Sequence, residues 1–259
     1  MTFKDWLFSN YPPNSGIGGQ WGTLHIATLV ACVLAIVAIA FLFRNKTEKT
    51  RYRVLLVMAI AIAVFELSRR IINISRGGCA DLTSALRTLL PRPWCAISCW
   101  LVMIAVFTKK KFLYNFTAIT ALLNALVFFA YPSVGFNNKY ILFENVYSIG
   151  THSLLLVSAV SMITLKFTDF RYKRGDGWTN SALLELITLA IVVAYAFLEI
   201  FVLKIEADPL YFRDGNEAQG VLGLAYPLYL VVYIVFLTVW LNAFYVVTGW
   251  IEKKKTKDK

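Results

Sequence analysis

Charge is what this sequence has least of. Asp, Glu, Lys and Arg make up 16% of its 259 residues against 58% that are hydrophobic, and the polar residues gather in short clusters between long apolar runs. That distribution excludes an ordinary soluble globule and marks a multi-pass membrane protein. The longest segments between the runs are about twenty residues, too short for an appended soluble domain. No internal repeat of the kind built into many transporters stands out.

Further absences remove particular functions. The glycine-rich stretch "NYPPNSGIGGQWG" follows no strand and is followed by no Lys-Ser or Lys-Thr, so it is not a phosphate loop; an outer loop with Tyr11 and Trp21 at the interface fits better. The last apolar run has no lysine for a Schiff base, which excludes a retinal protein. The first 21 residues lack a basic segment leading into a short apolar core, so the first helix is expected to remain in the mature chain.

Seven apolar runs are present, at about 22 to 43, 54 to 74, 94 to 108, 112 to 131, 146 to 166, 183 to 204 and 223 to 249. A backbone in lipid must satisfy its own hydrogen bonds, so the expected fold is an all-α integral membrane bundle of seven transmembrane helices. Of 26 Lys and Arg residues, 17 fall in four segments that would share one side: Arg44 to Arg53, Lys109 to Lys111, Lys166 to Arg174, and Lys253 to Lys259. The positive-inside rule makes that side cytoplasmic and puts the amino terminus outside. The expected organisation is an outer segment 1–21, a membrane domain 22–252 and a basic cytoplasmic tail 253–259, in the plasma membrane. The net charge of +11 then reflects topology signals beside anionic lipid, and nucleic acid is not an expected partner.

Ionisable groups inside such helices are costly and point to function or to a buried pair. At ~1.5 Å per residue from the basic clusters, Cys95 and His152 each stand ~21 Å above the inner boundary, and Glu66 and Asn124 ~20 Å. Glu66, Arg69, Arg70 and Asn73 share a helix face, as do Thr117, Thr120 and Asn124, and His25, Thr28 and Cys32. The third helix has only 15 residues, so its start is expected below the outer surface, under a non-helical re-entrant segment 79–93. Pro93 suits the first helical position, which puts Cys95 in the first turn, where open N–H groups favour an anion.

A thiol at a helix start, level with one of only two histidines, points to nucleophilic acyl transfer, with His152 taking the Cys95 proton. Other readings remain open: a small core cysteine, a disulfide from Cys79 to Cys95 or Cys99, a metal on Cys95, Cys99 and His152, and a structural Glu66 pair with Arg69 or Arg70. No metal or other cofactor is expected.

The segments "LPRPWC", "THSLLL" and "WGTLHIATL" resemble the YwaF-like integral membrane acyltransferase family, which includes transmembrane protein 164. The resemblance spans about residues 21 to 160 and takes in Glu66 and Pro132. It implies acyl transfer on membrane phospholipids through Cys95 and His152, with His25 supporting. The resulting expectation is a lipid acyltransferase or transacylase, with Asn124 or His25 as hydrogen-bond donor and Arg69 and Arg70 placed for a headgroup phosphate. The alternative is a transporter or binding protein for a small lipophilic solute, using the same polar cavity.

Overall fold

A computed structural model describes residues 6–7, 21–91, 94–130, 136, 141–170, 190–191, 194, 197–198 and 214–257. Most of the expected helix at 183 to 204, together with Tyr11, Pro93 and Pro132, lies outside the described residues. Helices are the only regular elements among them, and the chain divides into two compact units, Met1–Thr168 and Asp169–Lys259.

The first unit contains α1 (Thr23–Phe43), α2 (Glu48–Ser75), α3 (Leu82–Leu89), α4 (Trp94–Thr108), α5 (Lys111–Ala130) and α6 (Phe143–Thr164). The helices α1, α5 and α6 are long and apolar enough to cross a membrane. The shorter α4 runs 15 residues, as its sequence implied.

Lipid contact is written into α1. It buries only His25 and Cys32, seven residues apart, and turns Val33, Leu34, Val37 and Phe41 outward, the last 85% exposed. Water would disfavour such a face; acyl chains do not.

The helix α2 is longer than its apolar core and starts at Glu48, six residues before the run at 54. Thr47 caps it by accepting from the Thr50 N–H at 3.4 Å. Arg51 then reaches the carbonyl of Leu165 at 2.6 Å, tying the start of α2 to the end of α6. The charges here extend the helix beyond the apolar run that marked it.

The segment expected to be non-helical at 79–93 contains α3, and this corrects the sequence reading. Asp81 accepts from the Ser84 N–H at 2.8 Å while the Ser84 hydroxyl takes the Asp81 N–H at 3.1 Å, a reciprocal cap that starts a helix in a short segment. Gly78 lets α3 fold back on α2, since a Cβ there would stand 2.6 Å from both the Asn73 carbonyl oxygen and the Thr88 hydroxyl. Thr88 in turn donates to the Gly78 carbonyl at 2.8 Å.

The centre of the unit is α6, which packs against α1, α2, α4 and α5. Gly150 admits the Phe65 ring, whose Cζ would be 2.7 Å from an added Cβ.

In the second unit, α7 (Glu217–Leu222) is capped by the Asn216 side chain, which accepts from the Gln219 N–H at 2.9 Å. The long α8 (Tyr226–Lys257) includes a fourth segment apolar enough to span, Tyr226–Ile251. Tyr229 and Tyr245 are its fully buried aromatics.

Candidate functional site

The polar face of α2 points inward, as its spacing implied. Glu66 is 1% exposed and Arg70 7%, and the two form an ion pair one helical turn apart. Arg70 also donates to the Glu66 carbonyl at 3.0 Å and, through Nε, to the Leu89 carbonyl at 3.1 Å, and its guanidinium lies 5.2 Å from the centre of the Trp100 ring. Arg70 thus fastens the end of α3 to α2. The Tyr147 hydroxyl on α6 donates to the second Glu66 oxygen, and the Cys99 thiol on α4 is turned to the same carboxylate. A buried charge needs this kind of saturation, because each unfilled lone pair in a medium of low dielectric is costly.

Arg69 is held differently. Its Nη1 donates to the Tyr147 hydroxyl at 3.5 Å, and its guanidinium sits 5.0 Å from the centre of that ring. No carboxylate forms a salt bridge with it among the described residues; the two salt bridges there are Arg70 to Glu66 and Arg76 to Glu144.

Cys95 lies in the first turn of α4 and is half-buried. Burial is the main influence on its thiol, and the side-chain charges that act on it are those of Arg69 and Glu66. All four cysteines are free thiols, so the Cys79 disulfide considered from sequence is not formed. One turn further along α4, Ser98 is fully buried and accepts from Asn124 Nδ2 at 2.6 Å.

The histidines belong to a second cluster. His152 Nδ1 is 2.7 Å from the Ser148 carbonyl, which can only accept, so the proton is on Nδ1 and the Nε2 lone pair is open. Its ring stacks on Phe128 with centroids 3.7 Å apart and planes within 9°. His25 has the opposite tautomer. Its Nδ1 accepts from the Trp21 N–H at 3.1 Å, leaving the proton on Nε2, which has no hydrogen-bond partner and is fully buried. Phe129 and Phe136 flank it at 6.1 and 4.8 Å, and Phe128 contacts both of those rings.

The expected site residues therefore fall into three groups. Glu66, Arg69, Arg70 and Cys95 come together, His25 and His152 share an aromatic cluster, and Asn124 joins α5 to α4 through Ser98. No hydrogen bond links Cys95 to His152 among the described residues. Equal depth in the membrane does not imply contact, since helices at one level can be separated laterally. Tyr147, Ser98 and Trp100 are the polar partners that the sequence reading missed. One signal was available: Ser148, Thr151 and His152 form an i, i+3, i+4 polar stripe on α6, next to Tyr147.

Neither a curated protein nor a solved structure matches the chain. A family model described as the TMEM164 family matches residues 20–245, a span that takes in both clusters. The chain is a membrane protein with several candidate spans, and it belongs to the TMEM164 family.

Proposed function

We propose that the protein is a lipid acyltransferase or transacylase of the plasma membrane, seven-spanning with its amino terminus outside, that carries the acyl group on Cys95. The observation that carries this reading is the position of Cys95, half-buried in the first turn of α4, where backbone N–H groups lack helical partners.

In the first step the Cys95 sulfur attacks the ester carbonyl of a phospholipid. His152 Nε2 accepts the thiol proton and delivers it to the departing glyceryl oxygen, leaving a thioester and a lysophospholipid. In the second step an acceptor hydroxyl attacks the thioester, His152 takes the hydroxyl proton, and that proton returns to the Cys95 sulfur as the new ester leaves. The fixed Nδ1 donation to Ser148 supports this role, because it keeps the basic nitrogen pointing away from the backbone. Since thiol and imidazole share no hydrogen bond, the mechanism requires bound lipid to bring them within reach.

Asn124 or His25 supplies a hydrogen bond to the oxyanion, His25 having an N–H that nothing else takes up. Arg69 and Arg70 face the headgroup phosphate, with Arg69 the more available because Arg70 is bound to Glu66 and Leu89. An outward site is remote from cytosolic acyl-CoA, so a phospholipid is the acyl donor.

The test is to incubate purified protein with labelled phospholipid and seek, by mass spectrometry, a hydroxylamine-sensitive acyl group on Cys95. His152→Ala should lower transfer by about 10²- to 10⁴-fold. If no adduct forms and Cys95→Ser retains full function, the proposal fails. A second reading, binding of a small lipophilic solute, draws on the buried His25 N–H beside Phe129 and Phe136, and it predicts saturable binding unaffected by Cys95→Ser.

A further inference from the structure

Charge bookkeeping within the buried α2 face leaves an excess. Arg69 and Arg70 bring two positive charges and Glu66 one negative, and Arg70 takes the carboxylate. Arg69 rests on a phenol and shares with Arg70 the single charge of Glu66, and an incompletely neutralised cation inside a membrane protein is costly.

The helix geometry says what stands opposite Arg69. The Arg70 guanidinium, paired with Glu66, lies 5.2 Å from the centre of the Trp100 ring, next to Cys99, which fixes the register of α4 against α2. Arg51 near the start of α2 reaches the Leu165 carbonyl at the end of α6, so α2 and α6 run antiparallel. From Glu66 to Arg69 is ~4.5 Å along α2, and from Cys99 back to Cys95 is ~6 Å along α4. Both displacements lead toward the end of the bundle where Arg70 grips Leu89, so Arg69 comes level with Cys95. The mutual electrostatic influence of the two groups agrees with this register.

We propose that Arg69, held in place by Tyr147, is the cationic partner of the Cys95 sulfur and sets its nucleophilicity, with Tyr147 acting as a positioning residue. This rests on the reading of Cys95 as the nucleophile. It supplies a charge beside a thiol that makes no hydrogen bond to His152, while the histidine takes and returns the thiol proton once lipid is bound. Acylation turns the sulfur into a neutral thioester, which releases the Arg69 charge for the phosphate of the lipid. The charged and titratable groups around the sulfur are Arg69, Glu66 and Arg70 on α2, Tyr147 on α6 and Cys99 on α4; α5 contributes the uncharged Asn124 through Ser98.

Alkylation of the full-length protein by iodoacetamide tests the proposal without lipid, with the exposed Cys79 as internal control. Mass spectrometry reads the rate at each thiol across pH. Arg69→Met should slow Cys95 at least about tenfold at neutral pH, with the deficit closing as pH rises and every thiol ionises. Arg69→Lys retains the charge and should stay within about threefold of wild type. Tyr147→Phe keeps the ring under Arg69 but removes the hydroxyl, and should slow Cys95 by roughly threefold. His152→Ala should lower acyl transfer by about 10²- to 10⁴-fold yet change Cys95 alkylation by no more than about twofold. The proposal is overturned if Arg69→Met alkylates Cys95 at the wild-type rate, or if Arg69→Lys falls as far as Arg69→Met. Should Arg69→Met not fold, as its unfolding temperature would reveal, an unchanged Tyr147→Phe profile overturns it equally. Failure of the acyl-transfer reading would appear elsewhere, as absence of the Cys95 acyl adduct with the alkylation pattern intact.

Discussion

Tyr147 and His152 are five residues apart on α6, yet they serve clusters that handle polarity in opposite ways. Beside Tyr147 a full negative charge is buried and saturated: Glu66 takes Arg70 and the tyrosine hydroxyl. Around His152 no charge is buried; a phenylalanine covers the ring and a backbone carbonyl takes one proton. The first arrangement fixes geometry through directional bonds, and the second leaves one nitrogen of each histidine unused by the protein. In the proposed reaction the first cluster would hold the nucleophile and the second would move a proton.

The comparison is broken most severely by substituting Glu66. Glu66→Gln leaves Arg70 charged, buried and unpaired, and should cost about 3–5 kcal/mol, read as a lowered unfolding temperature in detergent. Glu66→Leu combined with Arg70→Met should recover most of that loss, since an apolar pair needs no partner; absence of recovery would mean that the network holds more than its own charge. On the aromatic side, Phe128→Ala should cost roughly 2 kcal/mol. Little apolar surface is transferred from water inside a bilayer, so the loss is mainly the cavity, and Phe128→Leu should restore much of it in the same melting assay. Gly78→Ala should cost about 1–3 kcal/mol by overpacking against the Asn73 carbonyl and Thr88. The smallest effect is expected from Asp81→Ala, about 1 kcal/mol through loss of the α3 cap, and it should leave both clusters intact. A larger loss of Cys95 reactivity than of stability in Asp81→Ala would show that α3 also aims α4.

The helices were legible wherever hydrophobicity decides the ends. The 15-residue α4 from Trp94 to Thr108 has the bounds its apolar run implied, and the left-handed backbone at Lys109, φ 56°, ends it there. The sequence reading ended short where charged residues prolong a helix, as at the start of α2 and in the basic end of α8. It also failed at α3, whose helicity comes from a capping pair rather than an apolar run. In the site, the inward faces of α2 and α1 followed from spacing alone. What spacing could not supply is the rotation of one helix against another. That rotation brings Tyr147 to Glu66 and Asn124 to Ser98, and it puts His152 on Phe128 instead of beside Cys95.

The packing of α6 against four other helices bears on the order in which this protein is made. Synthesis runs from the amino terminus, so α1, α2, α4 and α5 are all made before residues 143–164. Until then Glu66 lacks its tyrosine, Arg69 lacks the ring beneath it, and the cluster that holds His25 lacks its second imidazole. A chain that ends before α6 lacks a partner in each cluster, and the arrival of that single helix completes both at once.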